Sequence, residues 1–127
     1  MKNLVFYLGI ALLFTHELDA MPNHEWHVLP FLSSLSDSTG ELVFVLAHIP
    51  IFMLVLALVA TLNETIRSRT RIVASGFLVI HATLHYLFSD HIAYEFYSIL
   101  SSALIYGASI CGLSYLFIDY FIKGQDS

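Results

Sequence analysis

The fold is decided by one apolar run, LVFVLAHIPIFMLVLALVATL, at positions 42–62. The run contains no Asp, Glu, Lys or Arg, and a helix needs about 20 such residues to cross the hydrocarbon core of a bilayer. The rest of the chain is similar, because 57% of its 127 residues are hydrophobic and only 12% are charged. The mean hydropathy is +0.76. A chain with so little polar surface needs lipid as its solvent, so the sequence predicts one integral membrane domain over residues 1–127.

Three further apolar runs accompany this one. The four predicted spans cover residues 4–20, 42–62, 72–88 and 93–122. The last is longer than a span requires, so we expect its helix to begin outside the membrane, near Asp90 and His91. Because a backbone in lipid must satisfy its own hydrogen bonds, all four runs should be helical. The predicted fold class is all-α, a four-helix transmembrane bundle.

The basic residues indicate the orientation of the bundle. All five lie near the N-terminus, in the second loop or near the C-terminus: Lys2, Arg67, Arg69, Arg71 and Lys123. Four spans place these three regions on one side, and the positive-inside rule makes that side cytoplasmic. Both termini are therefore predicted to be cytoplasmic. The alternative for residues 1–20 is a cleaved signal peptide, although residues 15–19 are unusually charged for a cleavage region.

The first loop favours a short interfacial helix. Pro22 can open a helix and Pro30 would end one, while Trp26 and Phe31 suit the headgroup level. In the last span, Ala103 with Gly107 and Ala108 with Gly112 are small residues four apart. This spacing predicts close helix packing, either within the bundle or between protomers of a homo-oligomer.

All seven histidines fall on the outer side of this topology, together with seven of the ten carboxylates. With histidines neutral, the outer half has charge −7 and the inner half +2. At 1.5 Å of rise per residue, four histidines from three helices share a layer about 6 Å thick. These are His16, His48, His81 and His85. Ionisable residues at membrane depth usually face one another or a wet cavity, so we expect them to converge.

Imidazoles with carboxylates and no thiolate are typical of a site for zinc, iron, manganese or copper(II). We predict a divalent transition metal site in the outer leaflet, zinc or iron first, with the four layered histidines as first-choice ligands. Three other residues would complete the site or support its imidazoles: Asp19, His91 and Glu95. His91 and Glu95 are four apart at the head of the last predicted span. Glu17 is the predicted general base, acting on a water bound to the metal.

Other chemistry is excluded or disfavoured by the sequence. The net charge of −5 argues against a nucleic-acid partner, and the single cysteine, Cys111, excludes an internal disulfide and a thiolate cage. The string His24-Glu25-Trp26-His27 departs from HExxH because its second histidine comes one position early. No Glu-x-x-His pair, GxSxG elbow or phosphate-binding glycine loop occurs. We expect His24 and His27 to be solvated.

Residues 16–20, His-Glu-Leu-Asp-Ala, followed by Glu25-Trp26, resemble a family of small, uncharacterised bacterial four-span membrane proteins. The stretches at 81–85 and 91–96 are similar to its second half. The resemblance covers nearly the whole chain and implies a bacterial inner (plasma) membrane protein with the site facing the periplasm or exterior. It implies no activity. His27 departs from the family pattern, in which a basic residue is usual after Glu-Trp, and is left out of the site.

Four functions remain open at this point. The first is a metal-dependent hydrolase or oxidase acting on a lipid-soluble substrate. The second is an electron carrier in which two of the layered histidines bind haem axially. The third is a subunit for proton or metal transport or sensing, because histidines titrate near neutral pH. The fourth is a purely structural protein whose histidines only hydrogen-bond with one another.

Overall fold

The computed structural model describes residues 1–125, which form four long helices and no strand. The helices are α1 Lys2–Ala20, α2 Asp37–Ala60, α3 Glu64–Phe88 and α4 Ile99–Gln125. Two single-turn 3₁₀ helices, Glu25–His27 and Leu32–Ser34, lie between α1 and α2 in place of the one short helix predicted there. The predicted all-α class is confirmed.

Three of the helices are long and apolar enough to cross a membrane: α2, α3 and the 99–122 part of α4. Helix α1 is not among the helices of residues 1–125 that meet this description. Its last turn contains Glu17 and Asp19, and carboxylates lower the hydropathy of an otherwise apolar helix.

The side chain of Lys123, one of the five basic residues used for the orientation, lies outside what the structure describes.

The start of the last helix differs from the prediction. Helix α4 begins at Ile99, and residues 89–98 form turns and irregular backbone, including a tight turn in which the Tyr97 N–H donates to the carbonyl oxygen of Glu95 at 2.9 Å. Burial alternates along that stretch, because Tyr94 and Phe96 are buried while Glu95 and Tyr97 are exposed. The pattern therefore buries both rings, and the expected helical face shared by residues 91 and 95 does not exist.

The packed core lies between α1, α3 and α4, with α4 running along the other two. Glycines allow the helices to approach closely. A Cβ atom at Gly112 would lie 2.5 Å from the carbonyl oxygen of Ser75, and one at Gly9 would lie 2.8 Å from Cδ1 of Leu78. The pair formed by Ala108 and Gly112 is thus used inside the bundle, and the predicted homo-oligomer stays a prediction.

Helix α2 is the least buried of the four. Only Gly40 and Phe44 are buried along its length, and the helix continues through Pro50. It meets α1 through the rings of Phe14 and Phe52, whose centroids are 4.3 Å apart. An exposed apolar helix of this kind is suited to a lipid environment.

Candidate metal centre

Three histidines and one glutamate converge at the end of the bundle where α1 and α3 finish. One ligand atom from each lies within 4.8 Å of all the others: His16, Glu25, His81 and His85. The Glu25 carboxylate is central to the group. Its Oε2 lies 3.5 Å from Nε2 of His16. Its Oε1 lies 3.6 Å from Nε2 of His85 and 3.9 Å from Nε2 of His81.

The group is shielded from solvent. His16 is 0% exposed, Glu25 7% and His85 6%, and the His81 side chain is 12% exposed. The three imidazole rings contact one another edge to face, with centroids 4.7–4.9 Å apart. Burial of four polar side chains in contact is costly unless they bind a common partner or hydrogen-bond fully.

Local structure explains how the four residues meet. His16 lies one turn before the end of α1, and His81 and His85 are four apart on α3, so both point from one helical face. Glu25 opens the first 3₁₀ turn. The preceding residue, His24, has φ 46°, a left-handed conformation that turns the chain back over the end of α1.

The turn that bears Glu25 is fixed by its neighbour Trp26. The indole is 2% exposed, and its Nε1–H donates to Oδ1 of Asp37 at 2.9 Å. It packs against Gly40, where a Cβ atom would lie 2.8 Å from Cδ1 of the indole. The first turn of α2 therefore holds the loop, and the loop holds the carboxylate among the histidines.

Electrostatics keep Glu25 ionised. Burial alone would raise its pKa, but polar contacts with His16 and His85 outweigh burial and lower the pKa to about 2. Both ring nitrogens of His16 and Oε2 of Glu25 are buried and have no hydrogen-bond partner among residues 1–125. Buried polar atoms in native proteins are nearly always satisfied. A cation bound between these atoms would satisfy Glu25 Oε2 and one nitrogen of His16.

The irregular segment before α4, residues 94–98, covers the group from the other side. The Tyr94 hydroxyl lies 3.3 Å from Nδ1 of His85, and burial raises the pKa of Tyr94 to about 12, so it is a neutral phenol. If Nδ1–H donates to the phenolic oxygen, Nε2 keeps its lone pair on the side of Glu25. The Phe96 ring lies 4.8 Å from that of His85 and 5.3 Å from that of His16.

A cavity of about 170 Å³ adjoins the group. Glu25, His81, His85 and Tyr94 contribute to its wall. The remaining wall is apolar: Val28, Leu29, Pro30, Leu84, Phe88 and Phe96. A small molecule or one end of an apolar chain could therefore reach the ligand atoms.

The distances fit a single metal ion. Bonds of about 2.1 Å to nitrogen and oxygen place tetrahedral ligand atoms about 3.4 Å apart. The contacts from Glu25 to the histidines, 3.5–3.9 Å, are slightly longer, and all four ligand atoms lie within 4.8 Å of one another. Three imidazoles with one carboxylate suit zinc, iron, manganese or copper(II). Small side-chain rotations would close the group around an ion.

The structure brings together three of the four first-choice ligands and leaves His48 apart. Nε2 of His48 lies 2.9 Å from Oε2 of Glu17, and its Nδ1 lies 2.7 Å from the carbonyl oxygen of Phe44. Both ring nitrogens are thus engaged between α1 and α2. Glu17, the predicted general base, is engaged by the same ion pair and is not one of the four converging residues.

The other three predicted residues also lie outside the group. Asp19 accepts a hydrogen bond from Oγ of Ser101 at 2.6 Å. Glu95 lies 2.9 Å from Nδ1 of His24, whose pKa it raises through this hydrogen bond. His91 is exposed. The last two differ from expectation because residues 89–98 are not helical.

Glu25 is the ligand candidate that sequence reasoning missed. Its place depends on the chain turning back at His24, which hydrophobic periodicity does not reveal. The signal available in the sequence was the apolar stretch that follows Glu25, which contains Trp26, Val28 and Leu29. A charged group next to residues that must be buried needs a partner.

Comparisons with known proteins give a family and no relative of known activity. Residues 2–121 match the model of a family of unknown function (DUF6713). No curated protein and no solved structure matches the chain.

Proposed function

The chain belongs to this family of unknown function, and we propose that it is an integral membrane metalloprotein. The proposed ligands are His16, Glu25, His81 and His85. One observation carries the proposal: three imidazoles meet an ionised carboxylate in a buried place, and several of their polar atoms have no hydrogen-bond partner among the described residues. A structural cluster of histidines would be expected to satisfy those atoms internally.

We favour zinc or iron as the bound ion. Both accept imidazole nitrogen and carboxylate oxygen. Haem, the alternative, needs two imidazoles on opposite faces of a porphyrin. The edge-to-face contact of the three rings at 4.7–4.9 Å leaves no gap for a macrocycle between them. A preparation without a Soret band would agree with a non-haem ion.

The proposed orientation places both termini in the cytoplasm of a bacterial inner membrane and the metal group toward the periplasm. Its support is the distribution of the basic residues and the position of the histidines at the opposite end. Fusions of alkaline phosphatase and of a fluorescent protein at the C-terminus would test it. Fluorescence without phosphatase activity is the expected result, and the reverse pattern would refute the orientation.

We propose that the activity is hydrolysis or oxidation of a small lipid-soluble substrate. The apolar cavity that reaches Glu25, His81 and His85 supports this. The bound ion would supply Lewis acidity or redox chemistry beside the cavity wall that Glu25, His81 and His85 form. Lipid extracts from cells with the wild type and with Glu25→Ala should differ by at least one metabolite. Identical extracts would instead favour transport or sensing.

Metal content tests the site directly. The wild type, purified in detergent without chelators, should contain one ion per chain, since the site has one set of ligands. Inductively coupled plasma mass spectrometry measures this content. His85→Asn should contain less than about a tenth of that, because loss of a ligand weakens binding steeply. His91→Asn is the matched control, since that exposed histidine lies outside the group. A wild type with less than about a tenth of an ion per chain would overturn the proposal.

A further inference from the structure

A polar cavity of about 530 Å³ lies at the end of the bundle opposite the histidines. Its walls come from the beginnings of α1 and α3 and the end of α2. Three cationic residues line it: Lys2, Arg67 and Arg71. The one lining carboxylate belongs to Glu64, whose side chain is 90% exposed. The lining therefore has a net positive charge.

Arg71 is the best-defined cation in this cavity. Its guanidinium donates to Oδ1 of Asn3 and to the hydroxyl of Tyr7, both at 2.9 Å. It also lies over the rings of Phe6 and Tyr7, at 5.5 and 5.4 Å from their centroids. All of these partners are neutral. Within residues 1–125 no carboxylate lies within 4.0 Å of Arg71, and its Nε is buried without a hydrogen-bond partner.

The other two cations are more strongly engaged. Lys2 forms an ion pair with Asp119 at 2.8 Å. Arg67 donates to the carbonyl oxygen of Thr61 at 3.1 Å and lies 3.9 Å from Glu64. Among these three cations, Arg71 is thus the one whose charge is not balanced by a nearby carboxylate of the described residues. The planar arrangement of its N–H donors suits phosphate oxygens.

An apolar cleft of about 540 Å³ follows along the same three helices. Its wall includes Ile10 of α1, Val55 of α2 and Phe77 of α3. Toward the histidine end, α1 and α2 come together through the Phe14 and Phe52 rings and the ion pair of Glu17 with His48. Helices α1, α2 and α3 thus line two separate cavities, a polar and basic one toward the beginning of α1 and an apolar one further along that helix.

We propose that these two cavities together bind an anionic phospholipid, with the phosphate at Arg67 and Arg71 and an acyl chain in the apolar cleft. In the proposed orientation this end of the bundle lies at the cytoplasmic surface, where basic residues attract anionic lipids. A zwitterionic lipid has no net charge and is not attracted in this way. Free phosphate shares the headgroup chemistry but would leave the apolar cleft without a ligand. This site is independent of the metal group at the other end.

Native mass spectrometry of the detergent-solubilised full chain tests the proposal. The probes are phosphatidylglycerol, phosphatidylcholine and inorganic phosphate. Phosphatidylglycerol should bind about tenfold more tightly than phosphatidylcholine, and the double variant Arg67→Gln/Arg71→Gln should lose about tenfold in affinity for it. Millimolar phosphate should not displace the lipid. Glu64→Gln is the matched control, because it alters the same lining without removing a cation, and it should retain tight binding.

Three results would overturn the proposal. They are equal binding of the two lipids, unchanged phosphatidylglycerol binding in the double variant, and displacement by phosphate, which would indicate a soluble ligand. Metal content and helical circular dichroism report whether the double variant is folded. If it is not, the single variant Arg71→Gln serves instead: it should bind phosphatidylglycerol more weakly than the wild type, and unchanged binding in the folded single variant would overturn the proposal.

Discussion

The hydroxyl oxygen of Tyr94 lies 3.3 Å from Nδ1 of His85, while Nε2 of the same ring lies 3.6 Å from Oε1 of Glu25. The imidazole is thus held between a neutral phenol and an ionised carboxylate. A partner such as Tyr94, on the ring nitrogen that faces away from the proposed ion, orients a metal-binding histidine and fixes its tautomer.

Tyr94→Phe should therefore weaken metal binding without abolishing it. The loss of the hydroxyl removes the partner of Nδ1 but none of the four ligands, so we expect affinity to fall about tenfold. Competition with a chromogenic chelator measures the change. Tyr97→Phe is the control, since that ring is 72% exposed. Equal affinities for the two variants would show that Tyr94 only fills space.

Gly40→Ala should disturb the metal group through the loop. The new Cβ would lie 2.8 Å from Cδ1 of Trp26, so the indole must shift, and Glu25 is its neighbour in the chain. Trp26 is the only tryptophan, so fluorescence reports it directly. We expect emission at longer wavelength, weaker metal binding and a loss of about 1–3 kcal/mol in stability.

The control for this variant is Gly76→Ala on α3, where a Cβ meets nothing within 4 Å. It should leave the emission and the metal affinity unchanged. A Gly40→Ala protein with native emission and weakened metal binding would contradict the proposed role of the indole.

His48→Asn separates the two histidine environments. His48 contacts Glu17 and the backbone of Phe44 and is absent from the converging group. Metal content should be unchanged, while stability should fall by about 1–3 kcal/mol because the largely buried Glu17 carboxylate loses its partner. Metal analysis and thermal unfolding in detergent check both. Loss of the ion would instead make His48 a ligand, as the sequence predicted.

Gly112→Ala tests the packing of α4 on α3. A Cβ there would lie 2.5 Å from the carbonyl oxygen of Ser75, a backbone atom that a side-chain rotation cannot move. We expect a loss of about 1–3 kcal/mol by thermal unfolding. Gly76→Ala should be neutral or slightly stabilising, since alanine favours the helix. Similar stabilities for the two variants would refute the close approach of these helices.

The helical fold was predictable from run lengths and charge, but the beginning of α4 was not. Residues 93–98 are apolar enough to extend a helix, but in the structure they form turns that place Tyr94 and Phe96 against His85. Hydropathy does not reveal such a path, because it depends on tertiary contacts.

The histidine layer was predictable from depth, because rise per residue places His16, His81 and His85 at similar heights. Helix rotation was not predictable, so His48 could not be separated from them. Glu25 required the path of a loop, and loop paths depend on tertiary contacts such as that of Trp26 with Gly40. The depth of a residue follows from its position along one helix, whereas the convergence of side chains depends on how several helices rotate and pack.

The spread of the metal group along the chain has a consequence for biogenesis. His16 lies in the first helix, and the chain reaches His85 only at the end of the third. The complete set of ligands cannot exist until three helices have been synthesised and brought together. The proposed ion could therefore bind with all four ligands only after α1 and α3 have been synthesised and brought together.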